Sequence, residues 1–367
     1  MKKILTLASA GLCSASLVQA GGLDRTGQAI GPLFEEGGAT GSYVELSFGS
    51  IYPDVSGTAL GTGSGDIADS YVRPGFAFKT EFGDNWSVAL IYDRPYEADI
   101  TYPRGTGYIF EGSTADFNSN ALTGILRYKF DNGMSVYGGL RAQEIDAEVF
   151  LPPIADYSAN APGETAFGYL VGASYERPDI ALRVALTYFS AISHDLEVTE
   201  TSLATGTVTS PYTQEMPQAV NLDFQTGIAE DTLLFGGIRW VDWSDFTIAP
   251  PVYTNVLVGN PLVSYNGNYT TYTLGVGRAF TDEWSGSIAL IYEPGVGGFT
   301  TNLGPTDGLF GVTLGAKYER DQFEISGGVN VSWLGDAETI VSRDPFLTSD
   351  FTDNMAVGIG IRFGYNF

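Results

Sequence analysis

The feature that most constrains this fold is a regular alternation of short polar turns with long polar stretches along the chain. Each short turn is flanked on both sides by a segment in which apolar and polar residues alternate, which predicts a β-hairpin. The short turns are Gly83-Asp84-Asn85, Asp131-Asn132-Gly133, Arg177-Pro178-Asp179, Glu230-Asp231-Thr232, Thr281-Asp282-Glu283 and Arg320-Asp321-Gln322. Short turns at one end and long loops at the other are typical of a transmembrane β-barrel, and a soluble sandwich gives no reason for this asymmetry.

The alternating segments predict fourteen antiparallel strands. They cover 41–52, 70–82, 86–97, 115–130, 134–149, 165–176, 180–196, 217–229, 233–248, 269–280, 284–293, 308–319, 323–334 and 353–367. Six short turns and seven long loops then place both chain ends on the short-turn side, the periplasm. The predicted fold is all-β, a 14-stranded antiparallel transmembrane β-barrel over residues 41–367.

The two faces of the predicted strands differ in polarity. In the last strand Ile359, Ile361 and Phe363 share one side, whereas Gly360 and Arg362 share the other. A charged side chain on the lipid side costs about 2–4 kcal/mol at the membrane midplane, so the polar side must face the lumen. Aromatic residues also crowd the short turns, where amphipathic rings favour the headgroup level. They include Trp86, Tyr128, Phe130, Phe280, Trp284, Tyr318 and Phe323.

Residues 1–20 have the pattern of a secretory signal peptide rather than of a folded element. A charged start at Lys2 and Lys3 precedes an apolar stretch that ends at Val18, and Ala20 closes a small-residue cleavage site. The rest of the chain has no apolar run of about 18 residues or more, so no membrane-spanning helix is predicted. The expected location is the bacterial outer membrane.

The segment 21–40 predicts a short N-terminal hatch rather than a wall strand. It is rich in glycine and lacks period-two alternation. We expect Leu23 and Arg25 to lie inside the barrel, with Arg25 paired to lumenal acids such as Glu319 or Glu324.

The chemistry-bearing residues do not indicate an enzyme, a cofactor or a metal site. A net charge of −25 argues against nucleic acid, whose phosphates need a basic protein face. One Cys and one His exclude cysteine and histidine metal clusters. The chain has no G-x-S-x-G elbow, and His194 is expected to be a solvent-exposed loop residue rather than a catalytic base.

Several short patches resemble the FadL/TodX family of outer-membrane transporters for long-chain fatty acids and other hydrophobic compounds. Ile51 to Thr58 resembles the family's first loop, and Trp240 to Phe246, WVDWSDF, resembles its aromatic strand end. Further resembling patches are Tyr188 to Val198, Glu215-Met216-Pro217, Asp84-Asn85-Trp86 and Asp282-Glu283-Trp284. The resemblance implies a barrel plugged by a hatch, with ligand held in a lumenal apolar pocket and released sideways through a kinked third strand.

The resemblance assigns a ligand path through hatch, lumen and lateral gate. Its expected residues are Leu23, Arg25, Asp93, Arg94, Pro95, Tyr96, Arg127, Arg141, Arg183 and Arg239. Pro95 has no N–H for a strand ladder, so it marks either a kink or the end of the third strand.

The chain departs from the family in a shorter hatch and in Asp146 and Glu148, which stand where fatty-acid transporters are basic. These two acids favour a neutral hydrophobic cargo unless an arginine compensates for them. The predicted function is passive uptake of hydrophobic small molecules; the alternative is a general porin for hydrophilic solutes. Expected partners are the cargo, outer-membrane lipid and lipopolysaccharide, and the barrel assembly machinery through the terminal Phe367, with the protein acting as a monomer.

Overall fold

The computed structural model describes residues 22–340 and 347–367, so the predicted signal peptide lies outside the described residues. Within them, fourteen antiparallel strands close into one barrel, which confirms the predicted fold. The strands are β1 (Ser42–Asp54), β2 (Tyr71–Phe82), β3 (Trp86–Asp93 and Glu97–Thr101), β4 (Thr114–Lys129), β5 (Met134–Leu151), β6 (Tyr157–Arg177), β7 (Leu182–Phe189 and Ile192–Ser202), β8 (Gly206–Met216 and Ala219–Ala229), β9 (Thr232–Val241), β10 (Tyr269–Ala279), β11 (Trp284–Glu293), β12 (Leu309–Arg320), β13 (Phe323–Leu334) and β14 (Met355–Asn366).

The barrel closes where the first strand meets the last. β1 pairs with β14 from Tyr43 opposite Asn366 to Asp54 opposite Met355, and on its other edge β1 pairs with β2. Closure leaves no free sheet edge, which is the condition for a sheet to lie in lipid. No described helix is long and apolar enough to cross a membrane.

The strand faces follow the predicted alternation. Large apolar side chains such as Ile359, Ile361 and Phe363 are exposed on the outside, while Lys317 and Arg362 are buried on the inside. The outer face therefore suits lipid, and the charges form ion pairs within the lumen.

Two of the seven predicted long loops are instead tight turns. β5 and β6 are joined by residues 152–156, and β7 and β8 by residues 203–205, because all four strands extend further than predicted. The extended β7–β8 hairpin carries cross-strand threonine pairs, with Thr199 Oγ1 3.0 Å from Thr209 Oγ1. Such polar β-branched residues suit a strand in water, and their polarity makes them look like loop in the sequence.

The ninth strand is shorter than predicted. It ends at Val241 rather than near residue 248, because Trp243 turns inward and its backbone N–H donates to the carbonyl of Val241. The long outer loops contain small structures of their own. They are a π-helix at Tyr253–Val258 and short strands at Gly57–Ala59, Thr62–Gly63, Thr247–Ile248, Val263–Ser264, Phe299–Thr300, Ala337–Ile340 and Thr348–Phe351.

Candidate ligand path in the barrel lumen

Residues 22–41, here called the N-terminal segment, bond to inward-facing side chains of the barrel wall. The carboxylate of Asp24 accepts a hydrogen bond from Arg239 Nε at 2.6 Å, and both side chains are buried. Asn221 Nδ2 donates to the carbonyl of Gly27 at 2.8 Å. A single 3-10 turn, Gly31–Phe34, leads the segment towards the short-turn end of the barrel.

The third strand is interrupted, and the N-terminal segment pairs with it at that point. The strand resumes at Glu97, so Pro95 lies within β3 rather than at its end. Arg25 N–H bonds the carbonyl of Pro95 at 2.8 Å, and Glu97 N–H bonds the carbonyl of Leu23 at 3.0 Å. The segment therefore supplies backbone bonds that a wall strand would otherwise make.

The wall ladder between β2 and β3 stops at this interruption. The last pair in register is Phe76 with Tyr92, and the same register would then set Gly75 opposite Asp93, Pro74 opposite Arg94 and Arg73 opposite Pro95. Each strand thus carries a proline without an N–H donor where the ladder ends. We call the unladdered stretch, residues 71–75 of β2 facing 93–97 of β3, the wall gap.

Polar side chains from the segment and the wall meet around the wall gap. Thr26 Oγ1 donates to Asp93 at 2.9 Å, and Arg141 Nη2 lies 3.3 Å from the other oxygen of that carboxylate. Gln28 Nε2 donates to the Tyr96 hydroxyl at 2.9 Å.

Arg94 spans the wall gap. Its Nη2 lies 3.1 Å from the carboxylate of Glu97 and 2.7 Å from Asn118 Oδ1 on β4, while its Nη1 lies 3.5 Å from the carbonyl of Val72 on β2.

Eight of the ten predicted path residues lie around the first residues of the N-terminal segment. They are Leu23, Arg25, Asp93, Arg94, Pro95, Tyr96, Arg141 and Arg239.

The other two predicted path residues, Arg127 and Arg183, contact Phe34, which lies further along the segment towards the short turns. Their guanidinium carbons lie 4.6 Å and 4.8 Å from the centre of the Phe34 ring. Arg127 also pairs with Glu176 at 2.8 Å. The Phe34 ring makes an edge contact with Tyr137 as well, so cation–π and aromatic contacts both anchor it. We call this arrangement the Phe34 clamp.

The expected pairing of Arg25 with Glu319 or Glu324 is wrong. Both carboxylates bind Lys317, at 2.9 Å and 2.6 Å. Arg25 instead lies over the ring of Tyr71, 5.8 Å from its centre. The reason is that Arg25 is too far along the lumen from these two acids. Leu23 and Arg25 lie at the wall gap, whereas Glu319 and Glu324 lie near the short turns.

A buried aromatic cluster receives the start of the described chain. Trp243 is fully buried and makes edge contacts with Tyr96, Phe246 and Tyr265. Gly22 lies against the Trp243 ring in a left-handed conformation with φ of 62°, where a Cβ atom would lie 2.6 Å from the ring. Only glycine fits this contact without displacing the indole.

An apolar cavity of about 70 Å³ lies in the outer half of the lumen, between the wall strands and the loops after β9 and β11. Leu23 lines it, and so do five alanines, whose short side chains create the space. The lining includes Leu23, Ala98, Ala115, Ala147, Ala159, Ala161, Ile145, Leu196, Val198, Ile248 and Leu303. We call it the apolar pocket.

Two larger spaces lie nearer the short turns. A polar vestibule of about 1050 Å³ opens between the short turns and is lined by Glu35, Lys129 and Glu176 among others. A cavity of about 260 Å³ lies between it and the wall gap, lined by Arg73, Asp93 and Arg239 among others. Among the described residues no group of three or more His, Cys, Asp or Glu is arranged to hold a metal ion.

His194 is not a solvent-exposed loop residue as expected. It lies on the inward face of β7 with no exposed surface, and its Nδ1 is 3.2 Å from the carbonyl oxygen of Glu164. Its Nε2 is 3.3 Å from Gln143 Oε1 on β5, and Gln214 of β8 stands directly opposite it in register. The inward alternation of Ile192, His194, Leu196 and Val198 is the sequence signal that identifies this position.

No family model matches the chain, and no curated protein matches its sequence. Solved structures do match: a Pseudomonas aeruginosa FadL homologue has a TM-score of 0.75 at 15% identity, covering 92% of each chain. The Ralstonia pickettii toluene transporter TbuX has a TM-score of 0.65 at 12% identity over 97% of this chain and 98% of its own. The P. putida toluene transporter TodX has a TM-score of 0.64 at 12% identity, covering 92% and 91%. The closed 14-stranded barrel of this chain therefore has the fold of these structures, in agreement with the resemblance to FadL/TodX.

Proposed function

We propose that this protein is an outer-membrane channel for passive uptake of hydrophobic small molecules. The observation that carries the proposal is the apolar pocket, which lies next to a gap in the barrel wall. Ala98 follows the interruption of β3, and it lines both the apolar pocket and a second cavity that Arg25 and Tyr71 also line. A hydrophobic molecule in the pocket would therefore contact Ala98, the residue that directly follows the wall gap in the chain.

The N-terminal segment acts as a hatch in this proposal. An engineered cavity of about 150 Å³ in another protein holds one benzene, so a pocket of about 70 Å³ is too small for a monoaromatic molecule until its lining moves. Leu23 is the part of that lining that belongs to the N-terminal segment, so a movement of the segment would displace it without changing the wall strands. Withdrawal of Leu23 would enlarge the pocket and remove the backbone bonds that cover the wall gap.

The charges around the path favour a neutral cargo. Asp93 binds Arg141, Asp24 binds Arg239 and Glu176 binds Arg127, so these guanidinium groups already have carboxylate partners. A fatty-acid carboxylate would have to displace one of these buried pairs. The toluene transporters TbuX and TodX, which share the fold, support a hydrocarbon-sized neutral cargo.

The alternative of a general porin predicts an open, water-filled lumen. The described lumen instead contains a buried core to which the N-terminal segment contributes Leu23, Ile30 and Leu33. Deleting residues 22–36 should raise single-channel conductance in planar bilayers, because the segment occupies the lumen. Large steady steps from the intact protein would favour the porin.

Filling the shared wall of the two outer cavities tests the proposal. Ala98→Phe should abolish uptake of labelled p-xylene by intact cells, whose lipopolysaccharide limits apolar solutes. Ala142→Phe is the matched control, because Ala142 alternates with the buried Arg141 and therefore lies on the outer face. Equal uptake by both variants, at equal amounts of folded barrel, would contradict the proposal.

A further inference from the structure

A polar layer lies directly beneath the apolar pocket. Gln143 of β5 shares the inward face with Ile145, which lines the pocket, and Gln143 is one inward position further from the pocket. His194 of β7 is likewise one inward position below Leu196, and Gln214, opposite His194, lines the pocket itself. Gln143, His194 and Gln214 form what we call the polar layer. All three are almost completely buried.

One polar group in this layer has no partner. Gln143 is 1% exposed, and its Nε2 makes no hydrogen bond. By contrast, Gln214 is satisfied, because its oxygen accepts from the Tyr212 hydroxyl and its nitrogen donates to the Glu215 carbonyl. Leaving a buried amide group unpaired costs about 1–3 kcal/mol. A ligand that forms a hydrogen bond to this group would therefore gain affinity.

The histidine cannot satisfy the whole amide in either orientation. A neutral imidazole has one N–H donor and one acceptor nitrogen. If Nδ1–H donates to the Glu164 carbonyl, then Nε2 accepts from the amide nitrogen of Gln143 and the amide oxygen is left over. If Nε2–H donates to the amide oxygen, the amide nitrogen is left over. A hydroxyl group, which both donates and accepts, pairs with whichever atom remains.

A carboxylate does not suit this place. Among the described residues, the lining of the apolar pocket holds no Lys, Arg or His that could balance a carboxylate, and burying an unpaired charge there is costly. A purely hydrocarbon ligand would leave the Gln143 amide unpaired.

We propose that the polar layer is a recognition site for a hydroxyl group, so that the preferred cargo is an apolar molecule with one neutral hydroxyl, such as a phenol or an alcohol. This rests on the proposed function, because the apolar body of the ligand would occupy the apolar pocket. Gln143 would contact the hydroxyl, and His194 would hold the amide in place.

The test compares p-cresol with p-xylene, which differ only by a hydroxyl in place of a methyl group. Their dissociation constants are measured on the full chain in lipid nanodiscs for the unmodified protein and for Gln143→Met. We expect the substitution to reduce the preference for p-cresol over p-xylene by about five- to tenfold, the effect of one hydrogen bond. The ratio of the two dissociation constants is compared between the unmodified protein and the variant. The difference in water solubility between the probes is the same for both proteins and therefore cancels.

Gln225→Met is the matched control. Gln225 is also a buried glutamine, but it donates to the Ala181 carbonyl near a short turn, far from the pocket, so the ratio should not change. If Gln143→Met leaves the ratio unchanged while both probes still bind, the hydroxyl site is overturned and the proposed function stands. If neither probe binds the unmodified protein, both proposals are overturned. Should Gln143→Met not fold, Gln143→Glu and His194→Phe must shift the ratio instead, or the site is rejected.

Discussion

At the scale of single residues, the Phe34 clamp decides how firmly the N-terminal segment is held. Each guanidinium over the Phe34 ring contributes about 0.5–2 kcal/mol, depending on how far water is excluded. Phe34→Ala should therefore release the segment, whereas Phe34→Tyr keeps the ring and should not. A cysteine at Ile30, which is buried while the segment is seated, should react at least tenfold faster with a membrane-impermeant reagent in the alanine variant. Equal labelling rates would show that the clamp does not hold the segment.

Glu35, the next residue, makes the seating of the segment depend on pH. Burial and then the charge of Glu324 raise the pKa of its carboxyl, against the opposing effect of Arg362 and Lys317, to about 7. The seated state thus binds a proton more tightly than the released state, whose pKa is near the usual 4.5. Its advantage is complete below pH 4.5 and is lost as the pH rises through about 7.

Labelling of the same Ile30 cysteine should accordingly be slower near pH 5 than near pH 8, after correction for the reactivity of the thiol itself. Glu35→Gln removes the titrating group and should flatten this dependence. A Glu35→Gln variant with the full pH dependence would assign the effect to another group, such as His194.

At the scale of elements, two prolines set the wall gap. Pro74 on β2 and Pro95 on β3 both lack an N–H donor where the ladder stops. Pro74→Val with Pro95→Val restores both donors and should extend the ladder across the gap. We expect several-fold slower uptake of p-xylene by cells, with no loss of thermal stability. Pro211→Val, on an exposed site of the outer β7–β8 hairpin, is the control. Normal uptake by a double variant whose ladder is closed would exclude the wall gap as the exit.

At the scale of the whole molecule, the last residue of the chain bonds to the backbone that leads into β1. The carbonyl of Phe367 accepts bonds from the backbone N–H groups of Thr40 and Ser42, and its ring stacks on Tyr365 and Phe78. Deleting Phe367 should reduce the yield of assembled barrel far more than deleting Thr205, which lies in a hairpin turn. Heat-modifiable mobility on gels measures the yield. Similar yields from the two deletions would refute a role of this terminus in assembly.

The sequence by itself determined the strand number, the sidedness of most strands and the position of the short turns. These features depend on local patterns, because period-two alternation and turn residues encode a strand and its outward face within about ten residues. The burial of Lys317 and Arg362 follows from the same alternation. The threonine-rich outer part of the β7–β8 hairpin was not predicted from the sequence, because it has no row of apolar residues on one face.

Only the tertiary structure decided which distant residues meet inside the barrel. Most of the expected path residues lie close together in the structure. Arg25, however, contacts Tyr71 rather than Glu319 or Glu324. The roles of Phe34, Trp243 and Gln143 in the lumen were not identified from the sequence. His194 was expected in a solvent-exposed loop, whereas it is buried on the inward face of β7. Barrel closure and strand register bring together residues far apart in the chain, and a period of two says which way a side chain points but not what it faces.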